Sequence, residues 1–363
     1  MGRTRHGGAA LRDWGLASAA VVSWAVFLQL VVVERPEGPD RGDAAEYVAM
    51  VEGSAAVSAP FAKRVGVPFV ARHLRAEPRA ALAGLSRVAF VVFPVLLLVW
   101  LKRLGRGVRE SALAVLLCCV NPAFAASAFN PWLVDTGYLV VQQLVLLALG
   151  FGASWLTLVL LGAGALVREN GAFLGFAPLV ADLTARRRPA AFSVVAPLAG
   201  VVIALLLEWT RGGGVGALVF KPPGRLAGDL LGAWHGLWLF VVLGSRRAFV
   251  ARHEWGAVLV VVLVPALLSS LVATDTSRLL FLGAPAVAAC VALELPRLSP
   301  RGTWCVALAL PFLAVGTLAS VSTLASPPLL VVRQLALAAG AALLLVGRGL
   351  GLADERLDAV RSR

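Results

Sequence analysis

Residues 137–183 read GYLVVQQLVLLALGFGASWLTLVLLGAGALVRENGAFLGFAPLVADL, an almost uninterrupted apolar stretch broken by Arg168-Glu169-Asn170. No soluble domain hides so long an apolar segment, so it must be cut into membrane spans. Spans at 137–151, 153–167 and 171–183 leave the charged triplet in a tight turn. Two spans instead of three are the alternative, and loop charge decides between them.

Working outward, further apolar runs lie at about 14–33, 87–101, 111–128, 190–207, 232–245, 255–272, 279–293, 303–320 and 328–346. With three spans in the central stretch the total is twelve, and both termini fall on one side. If that side is the cytoplasm, its segments hold Arg3, Arg5 and Arg12; Lys102, Arg103, Arg106 and Arg109; Arg186–Arg188; Arg246, Arg247 and Arg252; Arg297 and Arg301; and Arg348, Arg356, Arg361 and Arg363. Every inner loop longer than a tight turn then carries basic residues, as the positive-inside rule requires. Merging two central spans would put Arg186–Arg188 outside and reverse the later clusters. The first run ends in Val31-Val32-Val33-Glu34-Arg35 without a small-residue cleavage motif, so it reads as an uncleaved span.

Composition agrees. Hydrophobic residues make up 59% of the 363 positions and charged residues 15%, with mean hydropathy +0.85. Soluble domains run near half apolar and a quarter charged. The net charge of +13 comes from Arg clusters between apolar runs. It sets topology and does not suggest nucleic-acid binding, because no basic stripe is interleaved with stacking aromatics. Cys118, Cys119, Cys290 and Cys305 sit inside apolar runs without a C-x-x-C pair, and the four His are scattered. No metal site is expected. Most of the ten Trp stand near span ends, as an interfacial aromatic belt does. The expected fold is an all-α polytopic helix bundle, one membrane domain over 1–363. Its first outer loop, 34–86, carries two short amphipathic helices near 43–53 and 60–76, and 347–363 forms a cytoplasmic tail.

The polar residues that break apolar runs collect on the expected outer side: Asp40, Asp43, Glu46, Tyr47, Lys63, Arg64, Asp135, Arg168, Glu169, Asn170, His235, Asp275 and Arg278. Ionisable groups at span ends are costly against lipid and usually face a cavity or one another. One polar outer cleft would receive them all. Asp43, Glu46 and Tyr47 share a helical face, so Asp43 suits a general base. An N-cap role for Asp43, with Glu46 closing a capping box, is compatible with that. Arg64 could pair with a carboxylate of the preceding helix or bind a lipid phosphate. Arg168 and Glu169 could neutralise each other or contact a polar ligand. Arg278 opens an inward-going helix, where a cation opposes the helix dipole; Asp275 or a phosphate would offset that.

Taken in order, these segments resemble bacterial members of the GT-C superfamily of membrane glycosyltransferases. The likeness rests on the acidic loop Asp43-Ala44-Ala45-Glu46-Tyr47, Pro60-Phe61 with Arg64 and Pro68, Asp135 before a span, Arg168-Glu169 at a span end, and Asp275-x-x-Arg278 with Pro285. The chain differs in having only Asp40-x-x-Asp43 where an Asp-x-Asp would stand. The resemblance implies transfer of a sugar from a polyprenyl-phosphate donor to a lipid, glycan or protein acceptor of the cell envelope, on the outer face of the cell membrane. Asp43 would be the base, and Lys63, Arg64, Arg168 and Arg278 would hold the donor phosphate. Asp40, Glu46, Tyr47, Asp135, Glu169, Asn170, His235 and Asp275 would line the cleft. Membrane lipids are the other expected partners, and a divalent cation is not required by these residues. A polytopic permease is the competing class, although it would place charges near the midplane on repeated broken helices. A non-catalytic assembly protein, the third class, would need no polar cleft.

Overall fold

The computed structural model describes residues 5–32, 42–54, 57–58, 61–211, 222, 224, 230, 232–250, 256, 259–272, 276–321 and 327–361. Among them every regular element is helical: α1 Arg5–Val31, α2 Gly42–Glu52, α3 Gly66–His73, α4 Pro78–Arg103, α5 Val108–Cys119, α6 Pro122–Phe129, α7 Asp135–Gly150, α8 Ser154–Val167, α9 Ala177–Thr184, α10 Ala191–Arg211, α11 Leu237–Val250, α12 Val264–Val272, α13 Thr276–Phe281, α14 Ala284–Glu294, α15 Pro300–Val321 and α16 Pro327–Arg361. A 3₁₀ segment, Glu169–Phe176, leads into α9, and a π turn, Leu259–Leu263, leads into α12.

Among the described residues four helical stretches are long and apolar enough to cross a membrane: Arg12–Val31, Pro78–Arg103, Pro300–Ser320 and Leu329–Leu350. α4 starts nine residues before its expected span because Glu77 caps it, accepting from the Ala80 N–H at 2.8 Å, and Pro78 occupies the first turn. Other expected spans are built from pieces. The run 111–128 breaks at Val120-Asn121, where Pro122 opens α6, and 279–293 is divided between α13 and α14 at Gly283. In the expected tail, 347–363, α16 continues as one helix to Arg361. Apolar residues face outward as well as inward: Leu30, Trp155, Trp209 and Trp304 are 70–83% exposed, as side chains facing lipid are.

Side-chain links sort the helix ends into two sets. Asp13 of α1 meets Arg109 of α5 at 3.6 Å, and Arg103 of α4 donates to the Gly150 carbonyl of α7. A cavity joins Trp100, Leu104, Gly150, Ser154, Asp182 and Ser193 at that same end. At the other end, Gln29 donates to the Arg87 carbonyl, and Ser86 bonds Leu133 and Thr136 beside the start of α7. Asn121, just past α5, donates to the Ala233 carbonyl, and Thr317 donates to the Val120 carbonyl. An aromatic core of Phe90, Phe93, Phe124, Trp234 and Phe281 ties α4, α6 and α13 together. At the far ends of α11 and α16 from Ala233, Glu294 binds Arg247 at 2.7 Å and Arg348 at 2.9 Å, with Glu294 and Arg348 fully buried.

Residues 171–184 run from one set of ends to the other. At about 2.0 Å per 3₁₀ residue and 1.5 Å per α residue they cover about 24 Å, most of a hydrocarbon core of about 30 Å. The extended 3₁₀ rise is what lets so short a segment reach. It fits because three backbones touch there: a Cβ on Gly171 would fall on the Gly164 backbone, and one on Gly175 would lie 2.6 Å from the Ala196 carbonyl oxygen. Small residues at crossing points allow this approach. Gly171→Val is therefore expected to cost about 1–3 kcal/mol by overpacking. Gly84→Ala, where a Cβ meets nothing within 4 Å, should be neutral. Thermal melts in detergent check the pair, and equal melting of both variants would refute the close-packing account.

Candidate functional site

Two crossed ion pairs build the site at the Ser86 end of the bundle. Arg64 follows the 3₁₀ turn Phe61–Lys63, and its guanidinium is buried under Phe61, whose ring centroid is 5.6 Å away. It grips Glu169 with both edges of its fork, Nε to Oε2 at 2.8 Å and a terminal nitrogen to Oε1 at 2.5 Å. Its third donor goes to the Tyr47 hydroxyl at 3.1 Å. Tyr47 stands edge-on to Phe61 at 5.7 Å. Arg168, one residue before Glu169, is buried in an ion pair with Asp135, the first residue of α7. A carboxylate there is also favoured by the helix dipole.

The local chain explains this crossing. α8 ends at Val167 and the backbone of Arg168 is extended (φ −158, ψ 138), so successive side chains point to opposite sides. Arg168 and Glu169 therefore find their ion-pair partners on other segments, Asp135 and Arg64. Each pairs with a distant segment. Arg64 likewise does not find a carboxylate on α2; it finds one 105 residues on. Gly66 permits the approach, because a Cβ there would lie 2.8 Å from Val167. The capping box also fails: Asp43 lies inside the first turn of α2, and Glu46 accepts from the backbone and hydroxyl of Ser58 at 3.2 and 2.7 Å. Asp43 is half-buried, one helical turn before Tyr47, and Lys63 is half-buried beside Arg64.

Burial raises the Glu169 carboxyl pKa, but the hydrogen bonds and charge of Arg64, helped by Arg168, outweigh it and hold it at about 2. An unfolded Glu titrates near about 4.3. A depressed folded pKa gives stability that is full above about pH 5 and is lost as pH falls toward about 2. The carboxylate side chain is 44% exposed, so solvent screens part of the effect. Glu169→Gln is expected to flatten the acid limb of the melting temperature between pH 5 and pH 2. An unchanged limb would show that the pair contributes nothing there.

Asn170 continues from Glu169 into an apolar cavity of about 650 Å³ lined by Phe173, Phe176, Val261, Pro265 and Leu268, and its amide donates to Ser269 at 3.4 Å. His235 is not part of this cluster. It lines a separate cavity with Arg333 and Gln334, at the same end of the bundle. Asp40, Asp275 and the side chain of Arg278 lie outside the described residues. Among the described residues no three His, Cys, Asp or Glu side chains gather to hold a metal ion. Arg333, Glu294 and the buried Gln142 and Gln143 of α7 were not singled out from the sequence; each is a polar residue in or at the end of an apolar run, and that interruption was the available signal.

No family model and no curated protein matches the sequence. Among solved structures, ArnT from Cupriavidus metallidurans in the apo state is similar, with a TM-score of 0.54 and 16% sequence identity, over 96% of this chain and 78% of that one. ArnT is a polytopic membrane protein of GT-C fold. The likeness of fold over 96% of the chain agrees with the resemblance read from residues 40–290, and the chain is a multi-pass membrane protein with the GT-C fold.

Proposed function

We propose that the chain is a membrane glycosyltransferase that moves a sugar from a polyprenyl-phosphate donor to an acceptor hydroxyl of the cell envelope. The observation that carries this reading is the site itself. Segments around Tyr47, Arg64, Asp135 and Glu169 are locked together at one end of the bundle, and an apolar cavity begins at the next residue, Asn170. A lipid-linked sugar needs both a polar head site and an apolar channel for its chain. The first and last helices, α1 and α16, both have their terminal ends in the Arg-rich set. With that set in the cytoplasm, as the positive-inside rule directs, the site faces outward and both termini face inward.

In this reading Asp43 takes the proton of the acceptor hydroxyl. The acceptor oxygen bonds to the anomeric carbon, the bond from that carbon to the phosphate oxygen breaks, and polyprenyl phosphate leaves with the electron pair. Lys63 and Arg278 receive the phosphate charge. Three of the five N–H donors of Arg64 are used by Glu169 and Tyr47, which leaves two for the donor. Arg168, held by Asp135, acts by fixing the turn that presents Glu169. The test is transfer from polyprenyl-phosphate sugars by purified protein in vesicles. Solute movement without transfer would favour a permease; neither activity would favour an assembly role.

A further inference from the structure

We propose that the cavity between the His235 turn and α16 is a binding site for an anionic phospholipid of the surrounding bilayer. It is separate from the Arg64–Glu169 site and does not depend on the activity proposed above. The cavity measures about 670 Å³. Its polar residues, His235, Arg333 and Gln334, lie at one end, and Trp238, Leu337 and Ala341 supply apolar walls further along α11 and α16. That division matches a molecule with a charged head and a long chain.

Arg333 is out of place without an anion. It stands in the second turn of α16, inside an apolar run. Its neighbours Val331, Val332 and Leu335 are 45–66% exposed and apolar, as on a lipid-facing surface. No carboxylate among the described residues pairs with it. A cation so placed calls for a compensating charge. His235 adds a second observation. Its Nε2 is buried with no hydrogen-bond partner, and its backbone is left-handed at φ +45, a costly conformation for a residue other than glycine. The turn is held there by the Asn121 bond to Ala233 and by Trp234 stacked on Phe281. Gly236 lets α16 come close, since a Cβ on it would lie 3.0 Å from the Ala341 carbonyl oxygen. A phosphate between Arg333 and His235 would satisfy both groups at once. The apolar walls and the lipid-facing flank of α16 favour a membrane lipid over a free anion as its source.

The experiment is native mass spectrometry of the detergent-purified full chain with phosphatidylglycerol or phosphatidylcholine, with and without millimolar inorganic phosphate. Phosphatidylglycerol is expected to be retained in preference to phosphatidylcholine. Retention should fall about tenfold in Arg333→Gln, as for loss of one charge-assisted contact. Ala338→Trp, which fills the cavity while keeping Arg333, should abolish it. Equal retention of the two lipids, or an unchanged Arg333→Gln, would overturn the proposal. So would displacement of the lipid by inorganic phosphate, which would make the site one for a free anion. Should Ala338→Trp not fold, lipid preference and Arg333→Gln decide the matter alone.

Discussion

Asp43→Asn is expected to lower glycosyl transfer by about 10²–10⁴-fold, the usual consequence of losing a general base. Asn keeps the size of the side chain and much of its hydrogen-bonding capacity, so α2 should still dock. Two further residues anchor that helix: Tyr47 is buried against Arg64, and Glu46 is tied to Ser58. The variant should therefore fold, insert and melt like the wild type. Transfer rates with a polyprenyl-phosphate sugar, beside a melting curve, separate the two effects. Wild-type rates in Asp43→Asn would remove that residue from the chemistry. A parallel fall in melting temperature would mark it as structural. Arg64→Lys provides the contrast, because it loses the planar fork that Glu169 fills and should lower rate and stability together.

Arg168→Met is expected to destabilise the protein by about 3–5 kcal/mol, because it removes the guanidinium from the buried carboxylate of Asp135. Both side chains are at least 94% buried, at 4% and 6% exposure. Replacing both partners, as Arg168→Met with Asp135→Leu, should restore most of that stability, since a buried pair often does no better than well-packed apolar groups. Chemical denaturation in mixed micelles measures the double-mutant cycle. Additive losses would show that the two groups act independently. Glu169 should still meet Arg64 in the double variant, so recovered stability without recovered activity would assign the Asp135–Arg168 pair to positioning the turn.

Much of this was legible in the sequence, for identifiable reasons. Hydropathy marks apolar runs whatever their backbone geometry, so α1, α4, α15 and α16 each overlap an expected span. It cannot register that 171–176 is wound as a 3₁₀ helix, because the cause is backbone contact with Gly164 and Ala196 on other helices. Likewise, Arg168-Glu169 declared itself as an interruption, but its partners are 33 and 105 residues away in sequence, and no local pattern encodes such pairings. His235 was grouped with the cleft because sidedness is readable from loop charge. Lateral position within the bundle is not, and the structure gives His235 a cavity with Arg333 instead. Arg333 itself was absorbed into an apolar run of α16, where one cation hardly changes the average.

The crossed ion pairs also set an order of assembly. Tyr47, Arg64 and Asp135 all precede Arg168 and Glu169 in the chain, so the frame can close as soon as the residue-169 turn has been synthesised. Until then Arg64 and Asp135 wait for Glu169 and Arg168, and the Arg168-Glu169 dipeptide delivers both opposite charges in a single step. The buried Glu294 is on a different clock. Arg247 is already present when it emerges, but Arg348 arrives only with α16. During biosynthesis the half of the bundle that holds Arg64 and Glu169 can therefore become rigid first. The other half remains unlocked until Arg348 has been made.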